Sequence, residues 1–177
     1  VVVLNDVPRL PTQTVQRLLE YARRGNGVWI ILGPRTQENF LRDVLAKTPL
    51  LPATVAAPIT PASPVGIDVK DPQNAAVRLI SAAERNAFVG TTVRKFWAVT
   101  PSSPNLRTIL ATAETTMGEA ATTENSGTAG AGGAPLVLET DIGSNGGRCV
   151  TWTTSVSGGL GGGGHAWNTL HTSPNLV

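Results

Sequence analysis

The order of apolar segments in the first 47 residues constrains the fold of this chain more than any other feature. Val1–Leu4 and Val28–Leu32 are short, continuously apolar runs, which is typical of strands buried on both faces of a parallel sheet. Each run precedes a segment with apolar residues at helical spacing, Thr12–Arg24 and Thr36–Lys47. This strand–helix–strand–helix order predicts a parallel sheet joined by crossover helices.

The remaining segments alternate between extended and helical patterns. Asp71-Pro72 is typical of a helix start and predicts a helix to about Arg85. Its inward-facing residues are predicted to be Ala76, Leu79, Ile80 and Ala83. Strands are predicted at Val93–Val99, at Leu106–Thr112, and as an antiparallel pair formed by Leu136–Glu139 and Arg148–Thr154 around a glycine-rich turn. Pro49–Pro64 predicts an extended connection, and Thr115–Ala134, which has almost no large apolar residues, predicts a flexible insertion.

These elements predict one α/β domain over residues 1–177. Its sheet is expected to be mostly parallel, flanked by helices and flavodoxin-like, with an antiparallel C-terminal edge. A chain of 177 residues that is 41% hydrophobic can bury one sizeable core. Because the sequence opens inside an apolar run and without a Met, we expect it to be a piece of a longer protein.

Composition argues against several classes of function. The formal net charge is only +2 and the basic residues are scattered, which disfavours a nucleic-acid partner. The single cysteine, Cys149, excludes an internal disulfide and a multi-thiolate zinc site. No apolar run approaches the roughly 20 residues of a membrane span, so we expect no direct membrane insertion by this chain. We expect neither a metal site nor a cofactor.

Three features could carry chemistry, and a structural interpretation is favoured for each. Gly158–Gly164 formally contains G-x-G-x-x-G. A dinucleotide site also requires an acidic residue after the glycines, and this sequence has none there. His165 and His171 do not have a common metal-ligand spacing, and no G-x-S-x-G elbow presents Ser155 or Ser157 to them. Cys149 lies inside a predicted strand, where a cysteine is usually a small core residue. Trp97 and Trp152 also lie in predicted strands and are expected to be packing residues.

Several segments of the chain carry a family resemblance. The opening segment is VVVLNDVPRLPTQTVQRLLEYARRGNGVWIILGPR, and three later segments are VRKFWAV, PLVLETDIGSNGGRCVTWTTSV and HAWNTLHTSPNLV. Together they resemble the class I glutamine amidotransferase-like module of bacterial Bat-type (aerotolerance-related) membrane proteins, which often also carry a von Willebrand factor A domain. The resemblance implies an amidotransferase-like fold, a membrane-anchored parent protein, and an extracytoplasmic, periplasmic position for this domain. It covers most of the chain except the proline-rich stretch and the insertion.

The resemblance also bears on catalysis. True class I amidotransferases carry a cysteine nucleophile at the turn after the strand that corresponds to Val28–Leu32. This sequence has Gly33-Pro34-Arg35 at that turn, without a thiol, and Pro34 has no N–H to contribute to an oxyanion hole. The comparison therefore implies that the fold is kept while the chemistry is lost.

The function expected from the sequence is that of a non-catalytic interaction or scaffold module, in contact with neighbouring domains or subunits of a membrane-anchored assembly. Two alternatives stay open. One is a small-ligand or nucleotide-binding module at the carboxyl ends of the parallel strands; the other is a degenerate or unconventional hydrolase that uses His165 or His171. No catalytic residue is assigned, and the candidate ligand-binding residues are Asn5, Asp6, Gly33, Arg35, Trp167 and Asn168.

Overall fold

The N-terminal strand–helix–strand–helix order is present in the computed structural model, which describes residues 1–78, 91–113 and 133–155. The elements are β1 (Val2–Asn5), α1 (Thr12–Arg23), β2 (Gly27–Ile31) and α2 (Glu38–Asp43), followed by a 3₁₀ turn at Leu45–Lys47. Within α1, Val15, Leu19 and Ala22 are buried, as expected for one helical face directed at a sheet. β1 and β2 pair in parallel, which confirms the predicted pairing of the first two strands.

The second helix is shorter than its apolar pattern predicts. It begins at Glu38 rather than Thr36, and its last turn tightens into the 3₁₀ turn. The backbone N–H of Gln37 donates to the carbonyl oxygen of Pro8 at 2.9 Å, and the Thr36 hydroxyl accepts a bond from Gly33. Both residues are therefore held by the preceding loop and cannot continue the helix.

The main sheet has six strands among the described residues, in the order β1-β2-β8-β7-β6-β4. Its later strands are β4 (Ile67–Val69), β6 (Leu106–Thr112), β7 (Pro135–Ile142) and β8 (Gly147–Trp152). β2 and β8 pair in parallel, whereas β8-β7, β7-β6 and β6-β4 are antiparallel. The chain is thus a mixed α/β domain, and the C-terminal hairpin β7–β8 occupies the middle of the sheet rather than the expected edge.

Glycine at position 147 allows α1 to approach the hairpin closely. A Cβ at Gly147 would collide with the backbone carbonyl oxygen of Ala22 in the last turn of α1. The missing side chain lets α1 pack directly on the start of β8.

A second, two-stranded antiparallel sheet joins β3 (Ala53–Ile59) to β5 (Phe96–Pro101). The prediction of a plain extended connection over Pro49–Pro64 was therefore wrong, because β3 lies inside it. The pairing of β3 with β5 shifts register between Ala56 and Pro58, and this irregularity accommodates a proline that cannot donate to the ladder. The strand predicted from Val93 begins at Phe96, because Val93 instead forms an isolated bridge with Val65.

The segment after Asp71 departs from the predicted helix at its start. The Asp71 carboxylate accepts the N–H of Gln73 at 3.2 Å, which closes a turn, and α3 (Ala75–Arg78) begins three residues later than Pro72 predicts. Val77, which the pattern placed off the inward face, is buried. The rest of the predicted helix, residues 79–85, lies outside the described residues, as do residues 115–132 of the predicted insertion.

Two apolar clusters pack against the main sheet. The larger contains residues of α1, α2, β2 and β8, together with Trp97 and Val99 of β5. The smaller contains Val77, Val93, Phe96 and residues of β6 and β7. Among the described residues, no helix is long and apolar enough to cross a membrane.

Candidate functional site

The polar residues predicted from the first two strand ends do converge. β1 ends at Asn5, and Asp6 follows it with a φ of 49°, in the left-handed region that few non-glycine residues adopt. The Asp6 N–H still donates to the carbonyl oxygen of Ile31 at 2.8 Å, so the turn begins directly at the last rung of the parallel ladder. This turn directs the Asp6 side chain towards the loop that follows β2, where the protein buries it.

Gly33 makes room for the Asp6 carboxylate. A Cβ built at Gly33 would lie 2.5 Å from both Cγ and Oδ1 of Asp6, which no real side chain tolerates. The backbone of Gly33 is engaged on both sides: its N–H donates to the Thr36 hydroxyl at 3.1 Å, and its carbonyl oxygen accepts the indole N–H of Trp97 at 3.3 Å. Position 33 is therefore restricted to glycine by the close approach of two chain segments.

Arg35 and Thr36 supply the donors for the carboxylate. The Arg35 backbone N–H lies 2.9 Å from Oδ1 and its Nε lies 3.3 Å from Oδ2, while Nη2 reaches the Asp6 carbonyl oxygen at 3.2 Å. The Thr36 hydroxyl lies 3.4 Å from Oδ1. We call these four residues, Asp6, Gly33, Arg35 and Thr36, the Asp6 clasp. Its hydrogen bonds are made within the chain, so the clasp joins the end of β1 to the β2–α2 turn.

The site residues predicted from sequence thus divide into three groups. Asp6, Gly33 and Arg35 form the clasp; Asn5 is exposed beside it at the end of β1; Trp167 and Asn168 lie outside the described residues. Thr36, the fourth clasp residue, and Trp97, which contacts the clasp at Gly33, were not predicted from sequence. Thr36 had a local signal, since a threonine hydroxyl can bond a backbone group a few residues away in the chain. Trp97 had none, because it is 64 residues from Gly33.

Cys149 occupies the interior of β8, as predicted for a core residue. It is fully buried, and burial raises the pKa of the thiol to about 12. At neutral pH it is therefore a protonated apolar group. His165 and His171 lie outside the described residues, so their distances to Cys149 stay untested. Ser155 is buried at the end of the β8 segment.

A charged network crosses the middle of the sheet, on strands β6, β7 and β8. Glu139 has a side chain that is only 6% exposed, and it pairs with Arg107 at 3.0 Å and with Arg148 at 3.5 Å. Both arginines also pair with Asp141, at 3.3 and 3.4 Å, and the amide of Asn74 donates to Glu139 at 2.7 Å. The two cations and two anions balance in charge. Because the ion pairs join neighbouring strands, they fix strand register, and the bond from Asn74 ties the turn before α3 to the sheet. No group of three or more metal-ligand side chains occurs in the described ranges.

The outer edge of the sheet is apolar and exposed. Val1, Val3 and Trp29 have exposed fractions of 79%, 53% and 43%, and we call these three residues the apolar edge surface. Val3 pairs with Trp29, and Trp29 pairs with the half-buried Val150 of β8. The side chains of Val3, Trp29 and Val150 therefore form one row across one face of the sheet. Among the strands that the structure describes, none lies on the outer side of β1.

Comparison with known proteins adds no family assignment. No protein-family model matches the chain, and no curated protein matches it either.

Proposed function

We propose that this chain is a non-catalytic contact module of a larger, membrane-anchored bacterial protein, and that it makes its contact through β1 and the apolar edge surface. The membrane-anchored, extracytoplasmic setting rests on the sequence resemblance. The contact role rests on one observation, which is the difference between the two edges of the main sheet.

The two edges differ in how they are protected against pairing. β4, at one edge, has three residues, and the pair Lys70–Asp68, at 2.7 Å, places charge beside it. Charge is one of the usual means by which an edge strand avoids another chain, and it is charge rather than length that separates the two edges, since β1 has four residues and β4 three. β1, at the other edge, carries no charged residue and no proline within Val2–Asn5. In the described part of the chain no strand covers the outer side of β1, and an uncharged edge beside exposed valines and a tryptophan is the surface expected of a protein that adds a strand from a partner.

The polar sites of the described residues support this choice over ligand binding or catalysis. The Asp6 carboxylate accepts donors from Arg35 and Thr36, and the Gly33 carbonyl accepts one from Trp97, so these groups are engaged within the chain. Cys149, the single cysteine of the chain, is buried, and burial raises the pKa of its thiol. These observations favour a structural role for the strand ends.

The first test asks whether β1 accepts a strand. The Asp6 N–H bonds to β2, and backbone N–H groups alternate in direction along a strand. The N–H of Leu4 therefore also points to β2, whereas those of Val3 and Asn5 point outward. In dilute protein, hydrogen exchange should be fast at Val3 and slow at Leu4. A soluble peptide with alternating Val and Thr should slow exchange at Val3, and Val3→Lys should abolish its binding.

Ile59→Lys is the matched control, since Ile59 is 44% exposed and lies in the other sheet. It should leave peptide binding unchanged. Slow exchange at Val3 in dilute protein would show that the edge is already covered and would refute the proposal. The second test is incubation with glutamine, which should release no ammonia above a heat-treated sample; turnover abolished by Cys149→Ser would contradict the non-catalytic assignment.

A further inference from the structure

We infer that Asn145 is a site of spontaneous covalent modification, at which the side chain cyclises onto the backbone nitrogen of Gly146 and is converted to aspartate and isoaspartate. The reaction changes the contact between the end of α1 and the turn that joins β7 to β8. The inference rests on the different surroundings of the two Asn-Gly pairs of the sequence, Asn26-Gly27 and Asn145-Gly146.

The reaction requires an asparagine followed by a residue that does not obstruct its own backbone nitrogen. The Gly146 nitrogen attacks Cγ of Asn145. The N–Cγ bond forms, the Cγ–Nδ2 bond breaks, and the amide leaves as ammonia with the proton of the attacking nitrogen. Water then opens the cyclic imide at either of its carbonyl groups, which gives aspartate or isoaspartate. Water is consumed and ammonia is released, so the step needs no oxidant and no co-reactant other than water.

The surroundings of Asn145-Gly146 favour this reaction. Both residues are exposed in the turn between β7 and β8. Gly146 has a φ of 74°, and a Cβ built on it would meet no atom beyond its chain neighbours within 4 Å, so the space beside its backbone is open. The Asn145 Nδ2 donates to the carbonyl oxygen of Arg23 at 3.1 Å, in an exposed bond. A single exposed bond opens readily, which frees Cγ to turn towards the Gly146 nitrogen.

Asn26-Gly27 has the same two residue types but is held in place. Gly27 is the first residue of β2 and pairs with Arg148 of β8. The Asn26 side chain donates to the carbonyl oxygen of Tyr21 at 3.0 Å. The backbone carbonyl oxygen of Asn26 accepts the Arg148 N–H at 3.3 Å. Cyclisation at Asn26 therefore requires the pairing of β2 with β8 to open locally.

Modification of Asn145 alters a close contact between backbones. A Cβ at Gly25 would lie 2.6 Å from the backbone carbonyl oxygen of Asn145, so the turn lies directly against the end of α1. Aspartate loses the amide donor to Arg23 and places a carboxylate at the carboxyl-terminal end of a helix, where negative charge is unfavourable. Isoaspartate adds a carbon atom to the main chain of the turn. Both products should therefore loosen the attachment of α1 to the hairpin.

Peptide mapping tests the site. The folded chain is incubated in mildly alkaline buffer and digested at acidic pH. Mass spectrometry then detects the replacement of an amide by a hydroxyl, and enzymatic methylation detects isoaspartate. Conversion should be at least about tenfold faster at Asn145 than at Asn26, which corresponds to about 1.4 kcal/mol of local opening. In the chain unfolded by urea, the two sites should react at similar rates.

Two results of this mapping overturn the proposal. Equal conversion of Asn145 and Asn26 in the folded chain would show that the surroundings of the two pairs do not matter. An Asn145 that is unchanged in the folded chain, while the unfolded chain reacts, would show that the turn protects it.

Thermal unfolding of aged samples tests the consequence. Loss of one hydrogen bond from a chain of this size lowers the melting temperature by roughly 1–6 °C. Ageing should produce this fall in the unmodified chain, and a fresh sample of Asn145→Asp should show it without ageing. Asn145→Gln is the matched control, because its longer side chain cyclises far more slowly, and ageing should leave its melting temperature at the starting value. An aged chain with converted Asn145 and an unchanged melting temperature overturns the loosening of α1.

Discussion

Replacing Gly33 by alanine probes the Asp6 clasp with a single methyl group. The new Cβ would lie 2.5 Å from Cγ and Oδ1 of Asp6 and 2.9 Å from its Cβ, so the aspartate must move. Movement weakens the bond from the Arg35 N–H, now 2.9 Å, and the weaker bond from the Thr36 hydroxyl. Overpacking costs about 1–3 kcal/mol, and a hydrogen bond to a charged group contributes about 1.5–3 kcal/mol.

We therefore expect Gly33→Ala to lower the free energy of unfolding by about 2–4 kcal/mol. Urea denaturation followed by circular dichroism measures this difference from the change in midpoint at constant slope. For a chain of this size the melting temperature should fall by roughly 5–15 °C. Gly66→Ala is the matched control, because its nearest neighbour, the Ala113 Cβ, would lie at an ordinary 3.5 Å. It should change stability by less than about 1 kcal/mol.

A double-mutant cycle assigns the loss to the contact with Asp6. Asp6→Gly removes the carboxylate and the Cβ and suits the φ of 49°. In that background, Gly33→Ala should cost less than about 1 kcal/mol, which corresponds to a coupling energy of at least 1 kcal/mol. If the two substitutions are additive within about 0.5 kcal/mol, the clasp does not constrain position 33 and the reasoning is refuted.

Three further predictions follow from other parts of the structure. Burial raises the pKa of Cys149 from 9.0 to about 12, so the unfolded chain releases this proton at a lower pH than the folded chain. The free energy of unfolding should therefore fall by up to about 1.4 kcal/mol per pH unit above pH 9. Measured against pH, this fall should be shallower for Cys149→Ala. Glu139→Gln should cost about 1–3 kcal/mol in urea unfolding, whereas Asp141→Asn, at a carboxylate that is 53% exposed, should cost less than about 1 kcal/mol; equal losses would contradict the central place of Glu139. Trp97→Phe should cost about 0.5–1.5 kcal/mol through loss of the indole bond to Gly33, and no loss in thermal or urea unfolding would show that the bond contributes nothing.

The elements that the sequence predicted well are those whose signals are local. The apolar face of α1 reports burial through its periodicity, and the glycine-rich turn marks the β7–β8 hairpin. The prediction that the runs Val1–Leu4 and Val28–Leu32 are buried on both faces was wrong, because Val3 and Trp29 are 53% and 43% exposed on one face of the sheet. The position of that hairpin in the middle of the sheet had no local signal, because β8 pairs with a strand about 120 residues earlier. β3 was missed because Pro58 within it and Pro52 before it disfavour a strand, and only pairing with β5 outweighs that preference.

The candidate site shows the same division. Asp6, Gly33 and Arg35 were identified because parallel strand ends meet at one edge of a sheet. Within the described residues they bond to one another, since the Arg35 N–H and Nε both donate to the Asp6 carboxylate, and their role in binding a ligand stays a prediction. Which residue satisfies which polar group depends on distances of a few tenths of an ångström, and a sequence pattern does not carry that information.

The clasp also limits how strongly β1 can bind another strand. Asp6 leaves the extended conformation, and Pro8, two residues later, has no N–H to donate. Pairing along the outer side of β1 therefore stops at Asn5, and within Val2–Asn5 only Val3 and Asn5 direct their backbone groups outward. Affinity from such a short edge must come largely from the apolar row of Val3 and Trp29, which contributes in proportion to the area it buries. Trp29→Ala should consequently weaken strand addition more than Asn5→Ala, although Asn5 lies on the paired strand and Trp29 does not. Peptide titration of the two variants measures this order, and the reverse order would show that backbone pairing, rather than the apolar face, determines the contact.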